Sequence, residues 1–272
     1  MMSRIKKENI SKTKDVVAGL GEIGKSIFQL ISKGTPAISY DINPKLIDKK
    51  NYKKYESLET RFLHICFPFT KKFISSIISL YKEYKPQGIV IHSTISPSTT
   101  KKLQDQLPIS IIYSATRGVH KRMLYDLKRY TKFFAIESDA PKAKWASKTY
   151  SNLMKKCKVK TKKMSNPKTL EFAKIIVDTS YFGWLINYAQ ISNMIAKKHG
   201  VDYDEMWSFA DEIHKYLGNR PKMYPGFIGG HCIIENLDLI NNETLNMIDE
   251  INNLYASKVK DAKSIVKKYQ KS

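Results

Sequence analysis

The run Gly19-Leu20-Gly21-Glu22-Ile23-Gly24 constrains this chain more than any other feature. It follows a short apolar segment, Asp15-Val16-Val17-Ala18, and precedes a helical pattern through Ile27, Leu30 and Ile31 that stops at Gly34. Each glycine has a mechanical task. Gly19 permits a tight turn, Gly21 lets a phosphate approach the backbone, and Gly24 lets helix and strand pack closely. The helix start, with Glu22 and Ile23 in its first turn, offers unpaired N–H groups and the positive end of the helix dipole. A second strand over residues 37–41 then places Asp41 at its tip, 17 residues after Gly24. Strand, turn, helix and acid-tipped strand in this order indicate a Rossmann domain. A carboxylate at Asp41 can accept both hydroxyls of a ribose and repels a 2′-phosphate, so the expected cofactor is NAD rather than NADP. S-adenosylmethionine is held by a similar turn and acid, and stands as an alternative ligand.

The alternation continues along the chain. Strands are expected at 62–66, at 88–92 ending in Ser93-Thr94, at 109–113, at 133–137 and near Val159, with helices at 71–84, 97–106 and 141–154. Strands alternating with helices predict a parallel sheet with right-handed crossovers. From Asn166-Pro167 the pattern becomes wholly helical. Leu170, Ala173, Ile176 and Val177 keep helical spacing, and the run reaches residue 198 before His199-Gly200 ends it. That helix would be roughly 45 Å long. Further helices are expected at 204–217 and 243–269. The reading is therefore α/β, with residues 1–165 an NAD-binding Rossmann domain and residues 166–272 a helical dimerisation and substrate domain. Tyr181, Trp184 and Tyr188 recur at helical spacing, as packing across a homodimer formed by the long helix 167–198 would require.

Composition narrows the partners. A hydrophobic fraction of 42% is that of a globular chain. No apolar run reaches the length of about 18 residues that spans a bilayer, and residues 1–11 lack the apolar core of a signal peptide. Three cysteines, Cys66, Cys157 and Cys232, at irregular spacing argue against a disulfide framework or a zinc site and fit a reducing cytoplasm. No His/Asp/Glu cluster suggests another metal. The net charge of +22 is unusual. The lysines run along the whole chain, and no RNP motif, zinc finger or basic zipper accompanies them. The charge therefore reads as a lysine-rich composition that also draws in a small anionic substrate, with nucleic acid not expected as a partner.

With these segments the chain resembles the UDP-glucose/GDP-mannose dehydrogenase family, within the wider 6-phosphogluconate-dehydrogenase-like group. The resemblance extends from about residue 14 to 240. It rests on Gly19 to Gly24, on Tyr-Asp-Ile-Asn-Pro at 40–44, and on Cys66-Phe67-Pro68-Phe69-Thr70. It continues through His-Ser-Thr-Ile-Ser-Pro-Ser-Thr-Thr at 92–100, Leu-Glu-Phe-Ala-Lys at 170–174 and Gly200-Val201-Asp202. Most specific is Pro-Gly-Phe-Ile-Gly-Gly-His-Cys-Ile at 225–233. That family oxidises a sugar alcohol twice with NAD through a thioester on the loop cysteine. The resemblance implies Cys232 as nucleophile and Lys174 as the cation stabilising the oxyanion. It implies Gly229, Gly230 and His231 as the loop against substrate. It puts Phe67, Pro68, Ser93 and Thr94 beside the cofactor.

The departures from the pattern are confined to the substrate side. Ala115-Thr116 stands where the family has Pro-Glu, Asp178 where it has Asn, and Asn236 where it has a catalytic Asp. An amide cannot take up a proton as a carboxylate does. The family's third domain, which holds much of the nucleotide, has no counterpart here, an expectation that points to a smaller substrate. Thr116, Arg117 and His120, with Lys121 and Arg122, form a basic loop that could hold a phosphate or carboxylate. Asp178 either replaces the lost acid/base or pairs with Lys174 one helical turn away. Cys66 and Cys157 read as packing residues, and His64 and His92 as core or rim histidines. The resulting expectation is an NAD-dependent oxidoreductase acting on an alcohol of a small anionic substrate. A methyltransferase using S-adenosylmethionine and a non-catalytic dinucleotide-binding protein are the alternatives.

Overall fold

Strand β1 (Thr13–Ala18) lies inside a seven-stranded sheet of order β2-β1-β3-β4-β5-β6-β7 in the computed structural model, which describes residues 12–216, 225–229, 233–240 and 242–260. The other strands are β2 (Ala37–Tyr40), β3 (Glu59–Ile65), β4 (Gly88–Ile91), β5 (Ser110–Tyr113), β6 (Lys132–Ile136) and β7 (Thr161–Lys163). Helices α1 (Glu22–Ser32), α3 (Phe73–Tyr84), α4 (Thr99–Gln104) and α6 (Ala143–Lys156) connect them, so the α/β Rossmann reading holds. Successive side chains of a strand point to opposite faces. Val17, Phe62, Val90 and Ile112 accordingly pack under α1 and α6, while Val16, Leu63, Ile89 and Ile111 pack under α3 and α4.

One strand departs from the expected parallel sheet. β6 runs antiparallel to β5, with Ile112 opposite Ile136. The connection between them carries a 3-10 turn, His120–Arg122, and the short helix α5 (Met123–Arg129). Two short helices, each of seven residues, escape a sequence reading. These are α5 and α2 (Lys49–Tyr55), the latter started by the Asp48 carboxylate, which accepts from Lys50 N and Asn51 N. The last strand lies just beyond Val159, at 161–163.

The chain divides into two compact units, residues 1–171 and 172–272, inside the long helical run rather than at its start. The first turns, α7 (Pro167–Phe172), reach into the first unit because Glu171 is buried there. Its carboxylate accepts from Ser98 N at 2.5 Å and from Thr100 N and Oγ1 at 2.9 and 2.6 Å. A π-helical stretch, Ala173–Ser180, follows, and α8 (Tyr181–His199) completes the run. The second unit adds α9 (Tyr203–Ser208), α10 (Asp211–Tyr216), α11 (Ile234–Leu237) and α12 (Glu243–Lys258). The expected helix 204–217 is thus two shorter ones, and residues 261–269 lie outside the described residues. Among the described residues no helix is long and apolar enough to cross a membrane.

Beneath the sheet runs a polar layer. Asp15 is buried in β1, where it pairs with Arg61 and accepts from Phe62 N. His64 and His92 are fully buried, stacked at 5.2 Å, and joined by a 2.9 Å hydrogen bond between His64 Nδ1 and His92 Nε2. Burial pushes His64 down to about 4, opposed by Asp15 and aided by Arg61 and Lys132. It also holds His92 well below the ordinary histidine range. Both therefore fold in the neutral form, whereas the unfolded chain protonates them near 6.5. Their contribution to stability is present above that value and lost as pH falls through about 4. The melting temperature is expected to fall by roughly 5 °C or more between pH 7.5 and pH 5, and a His64→Gln/His92→Gln double variant to fall less. Equal slopes for parent and variant, measured by circular dichroism, would remove the pair as the cause.

Candidate functional site

The turn after β1 is built as its glycines require. Gly19 has φ +89°, and a Cβ there would lie 2.7 Å from Phe67 N. A Cβ on Gly24 would lie 1.6 Å from the Gly19 carbonyl oxygen. Gly21 differs. It precedes α1 in extended conformation with no side-chain cap, and nothing lies within 4 Å of a Cβ built on it. The start of α1 therefore presents free space bordered by its uncapped N-terminal turn, the arrangement that admits a phosphate.

Asp41 closes the turn from the side. One carboxylate oxygen accepts from Leu20 N at 2.6 Å and the other from Asn43 N at 2.8 Å, and Gly19 N donates to Tyr40 O at 2.9 Å. A carboxylate has about four acceptor positions, so two remain for a ribose diol. The loops after β3 and β4 are tied together by Ser93 Oγ, which donates to Phe67 O at 2.6 Å. Pro68 is exposed and Thr94 half-buried beside them. Gly19, Gly21, Gly24, Asp41, Phe67 and Ser93 thus gather at the C-terminal ends of neighbouring strands, where open α/β sheets bind ligands.

The basic loop after β5 is largely engaged. Thr116 is buried and its hydroxyl accepts from Lys132 Nζ at 3.2 Å. Arg117 donates to Thr131 O at 2.7 Å and lies over the Phe133 ring. His120 pairs with Glu22 at the start of α1, and Arg122 pairs with Asp126. The Val119 N–H and the Arg122 guanidinium hold Asp126 below the usual carboxylate range. These contacts fold the loop beside the glycine turn.

In the second unit Lys174 and Asp178 form an ion pair of 2.5 Å on the π-helical stretch. Thr179 Oγ1 and Ser180 Oγ donate back to the carbonyls of Lys174 and Ile175. π-helical turns are rare and concentrate at functional sites. Gly230, His231 and Cys232 lie outside the described residues, but the segment leading to them is fixed. Asn252 accepts from Ile228 N at 2.8 Å and donates to Ile228 O at 3.1 Å. Gln190 donates to Gly226 O at 2.7 Å and to Asn252 Oδ1 at 3.0 Å, and Asn187 donates to Gln190 Oε1 at 2.8 Å. On the far side Ile233 packs 3.2 Å from the Cβ position of Gly183, and Asn236 lies in α11. The buried Asn187, Gln190 and Asn252 were not among the sequence candidates. The clue was an amide-rich face, Asn187, Gln190 and Asn193, on an otherwise apolar helix.

No protein-family model matches the chain, and no curated protein matches it by sequence. Solved structures do match. UDP-D-ManNAc dehydrogenase of Pyrococcus horikoshii superposes with a TM-score of 0.74 at 19% identity, covering 90% of this chain and 69% of that one. UDP-N-acetyl-mannosamine dehydrogenase Cap5O of Staphylococcus aureus gives 0.66 at 18%, covering 90% and 68%. 3-Hydroxyisobutyrate dehydrogenase of Mycobacterium tuberculosis gives 0.64 at 12%, covering 94% and 98%. At these identities the likeness establishes a shared fold. It is the fold expected from the motifs.

Asn252 bonds both backbone groups of Ile228, so Asn252→Leu leaves a buried N–H and C=O unpaired. The expected loss is about 2–4 kcal/mol in urea unfolding, together with faster proteolysis of the 225–233 segment. Unchanged stability and cleavage would mean that the amide network does not anchor this segment.

Proposed function

We propose that the chain is an NAD-dependent dehydrogenase that oxidises an alcohol of a small anionic substrate. The observation that carries this reading is the open phosphate cradle at Gly21, with Asp41 gripping the same turn through Leu20 N. Its fold is that of proteins named as UDP-sugar and 3-hydroxyisobutyrate dehydrogenases, which supports a redox chemistry over methyl transfer.

Bound NAD would supply the hydride acceptor. The protein's residues divide the remaining work. Gly19, Gly21 and Gly24, with the α1 N-terminus, hold the pyrophosphate, and Glu22 and Ile23 shape that turn. Asp41 takes the adenosine ribose, and Phe67, Pro68, Ser93 and Thr94 border the nicotinamide side. Lys174 stabilises the negative oxygen that develops as the alcohol loses its proton and hydride, and Asp178 orients the Lys174 ammonium. Cys232 is the nucleophile for a second oxidation, its thiolate adding to the aldehyde carbon. Gly229, Gly230 and His231 let the loop backbone approach the substrate, with Asn236 beside it where a carboxylate would be the stronger base. Thr116, Arg117 and His120 shape the substrate side of the cofactor cleft.

The exposed apolar residues of the long helix, Val177, Tyr181 and Tyr188 among them, support a homodimer. Cys66 and Cys157 are free and buried, and burial raises their thiols to about 12 and about 11, which suits a reducing cytoplasm.

Calorimetry against NAD, NADP and S-adenosylmethionine tests the cofactor. NAD is expected to bind most tightly, and Asp41→Asn to weaken it about tenfold, the loss of one to two charge-assisted hydrogen bonds, while narrowing its preference over NADP. Tight S-adenosylmethionine binding with no response to NAD would overturn the assignment, and an unchanged preference would reduce Asp41 to a turn residue. Once a turned-over alcohol is found, Cys232→Ala is expected to abolish acid formation while sparing alcohol–aldehyde interconversion. NAD binding without turnover of any alcohol would favour a non-catalytic protein.

A further inference from the structure

The two compact units do not share the net charge. Residues 1–171 hold 35 of the 47 Lys and Arg and 13 of the 25 Asp and Glu, whereas residues 172–272 hold 12 of each. The second unit is neutral, and the whole excess of +22 belongs to the first. Lysines run through both units, eleven of them in the second, but only there do acids balance them. The net charge, unlike the lysines themselves, is sharply partitioned.

Within the first unit the excess concentrates again. Between Asp139 and Glu171 stand ten lysines and no Asp or Glu. These residues form α6, β7 and the start of α7, the first two at one edge of the sheet. All ten lysines are exposed, and none forms an ion pair with a described residue. The acids at the two ends are turned elsewhere, Asp139 to Lys101 and Glu171 to Ser98 and Thr100. Near the end of α6, Lys155 and Lys156 line a surface depression with Arg61, Thr149 and Asn152. Lysines on an edge strand discourage pairing with foreign strands, which accounts for Lys160, Lys162 and Lys163. It does not account for Lys142 at the start of the helix or for Lys144, Lys148, Lys155 and Lys156 on it.

We propose that this α6–β7 edge binds double-stranded nucleic acid through its phosphates, without regard to base sequence. The observations select that polyanion from others. A helix that lies in an anionic membrane sets apolar side chains beside its cations. No large apolar residue is exposed between Tyr130 and Phe172. Single strands are held by stacking on aromatic rings. Here Tyr150 is fully buried, and Trp145 is half-buried against Phe62. Arginine, whose rigid fork is the strongest reader of base edges, is absent from this stretch, where every cation is a lysine. What remains is a row of point charges on a helix about 21 Å long, facing a duplex that carries one charge per roughly 1.7 Å of axis.

The test is fluorescence anisotropy of the full chain with two duplexes of about 20 base pairs and unrelated sequence, across about 50–200 mM salt. Both duplexes are expected to bind alike. Lys155→Gln/Lys156→Gln/Lys160→Gln/Lys163→Gln should weaken binding at least ~10-fold and reduce the log–log salt slope by about 3–4, near 0.9 for each contact removed. Lys49→Gln/Lys50→Gln/Lys53→Gln/Lys54→Gln removes the same charge from α2 and should change affinity less than ~2-fold. If the first variant fails to fold, the pairs Lys155→Gln/Lys156→Gln and Lys160→Gln/Lys163→Gln should each lower the slope by about 1.8. Equal losses from the two quadruple variants would mean an unlocalised field and overturn the assignment. So would absence of duplex binding at about 50 mM salt, or binding to phosphatidylserine vesicles and not to duplex. None of these readouts depends on NAD or on turnover.

Discussion

The close approach of α1 to the turn before it sets the geometry of the whole first unit. A methyl group at Gly24 would meet the Gly19 carbonyl, so only hydrogen at that position allows the helix to start where it does. The same contact keeps the Gly21 amide region open and brings Leu20 N within reach of Asp41. Asp41 in turn holds the end of β2 beside β1, and Gly19 N bonds Tyr40 O. A few atoms therefore couple the sheet, the first helix and the ligand cradle. None can move independently, and preorganisation of this kind is what lets backbone N–H groups bind an anion without reordering.

How much could be read in advance depended on how local the physics is. The glycine turn, the helix after that turn and the strand at 37–41 follow from steric rules acting over a few residues, and all were legible. So was the Lys174–Asp178 pairing, since four residues on a helix face bring two side chains together. The antiparallel strand β6 was not legible, because direction is decided by the length and packing of a connection rather than by the strand. α2 was missed because lysines dominate its sequence and none of its residues is buried, and α5 because its apolar residues, Met123, Leu124 and Leu127, span too few turns to establish a period. The engagement of Arg117 by Thr131 and Phe133, and of His120 by Glu22, depends on tertiary folding of a loop. Sequence could name those cations but not say that they already had partners.

The two units solve the problem of buried polarity in different ways. In the first, buried Asp15 stands beside His64 and His92, and the two histidines make the integrity of that layer depend on solvent pH. In the second, Asn187, Gln190 and Asn252 do a comparable bridging task with amides that carry no charge at any pH. An amide presents donor and acceptor together, so one side chain can bond both backbone groups of Ile228 as a neighbouring strand would. The segment leading to Cys232 thus gains sheet-like support in a unit with no sheet among its described residues.

The π-helical stretch at Ala173–Ser180 has a consequence for evolutionary change in this chain. One residue more or fewer in that stretch rotates everything after it by about 100° around the helix axis. Gly183, Asn187 and Gln190, which face α12 and the 225–228 segment, come after the stretch, whereas Lys174 stands in its first turn, so such a change would alter the angle between the two sets around one helix. The stretch therefore acts as a phase adjuster between two faces of one helix. Point substitutions on either side can drift separately, but indels there cannot be neutral. The length of this short segment is as much a part of the protein's specification as any side chain it carries.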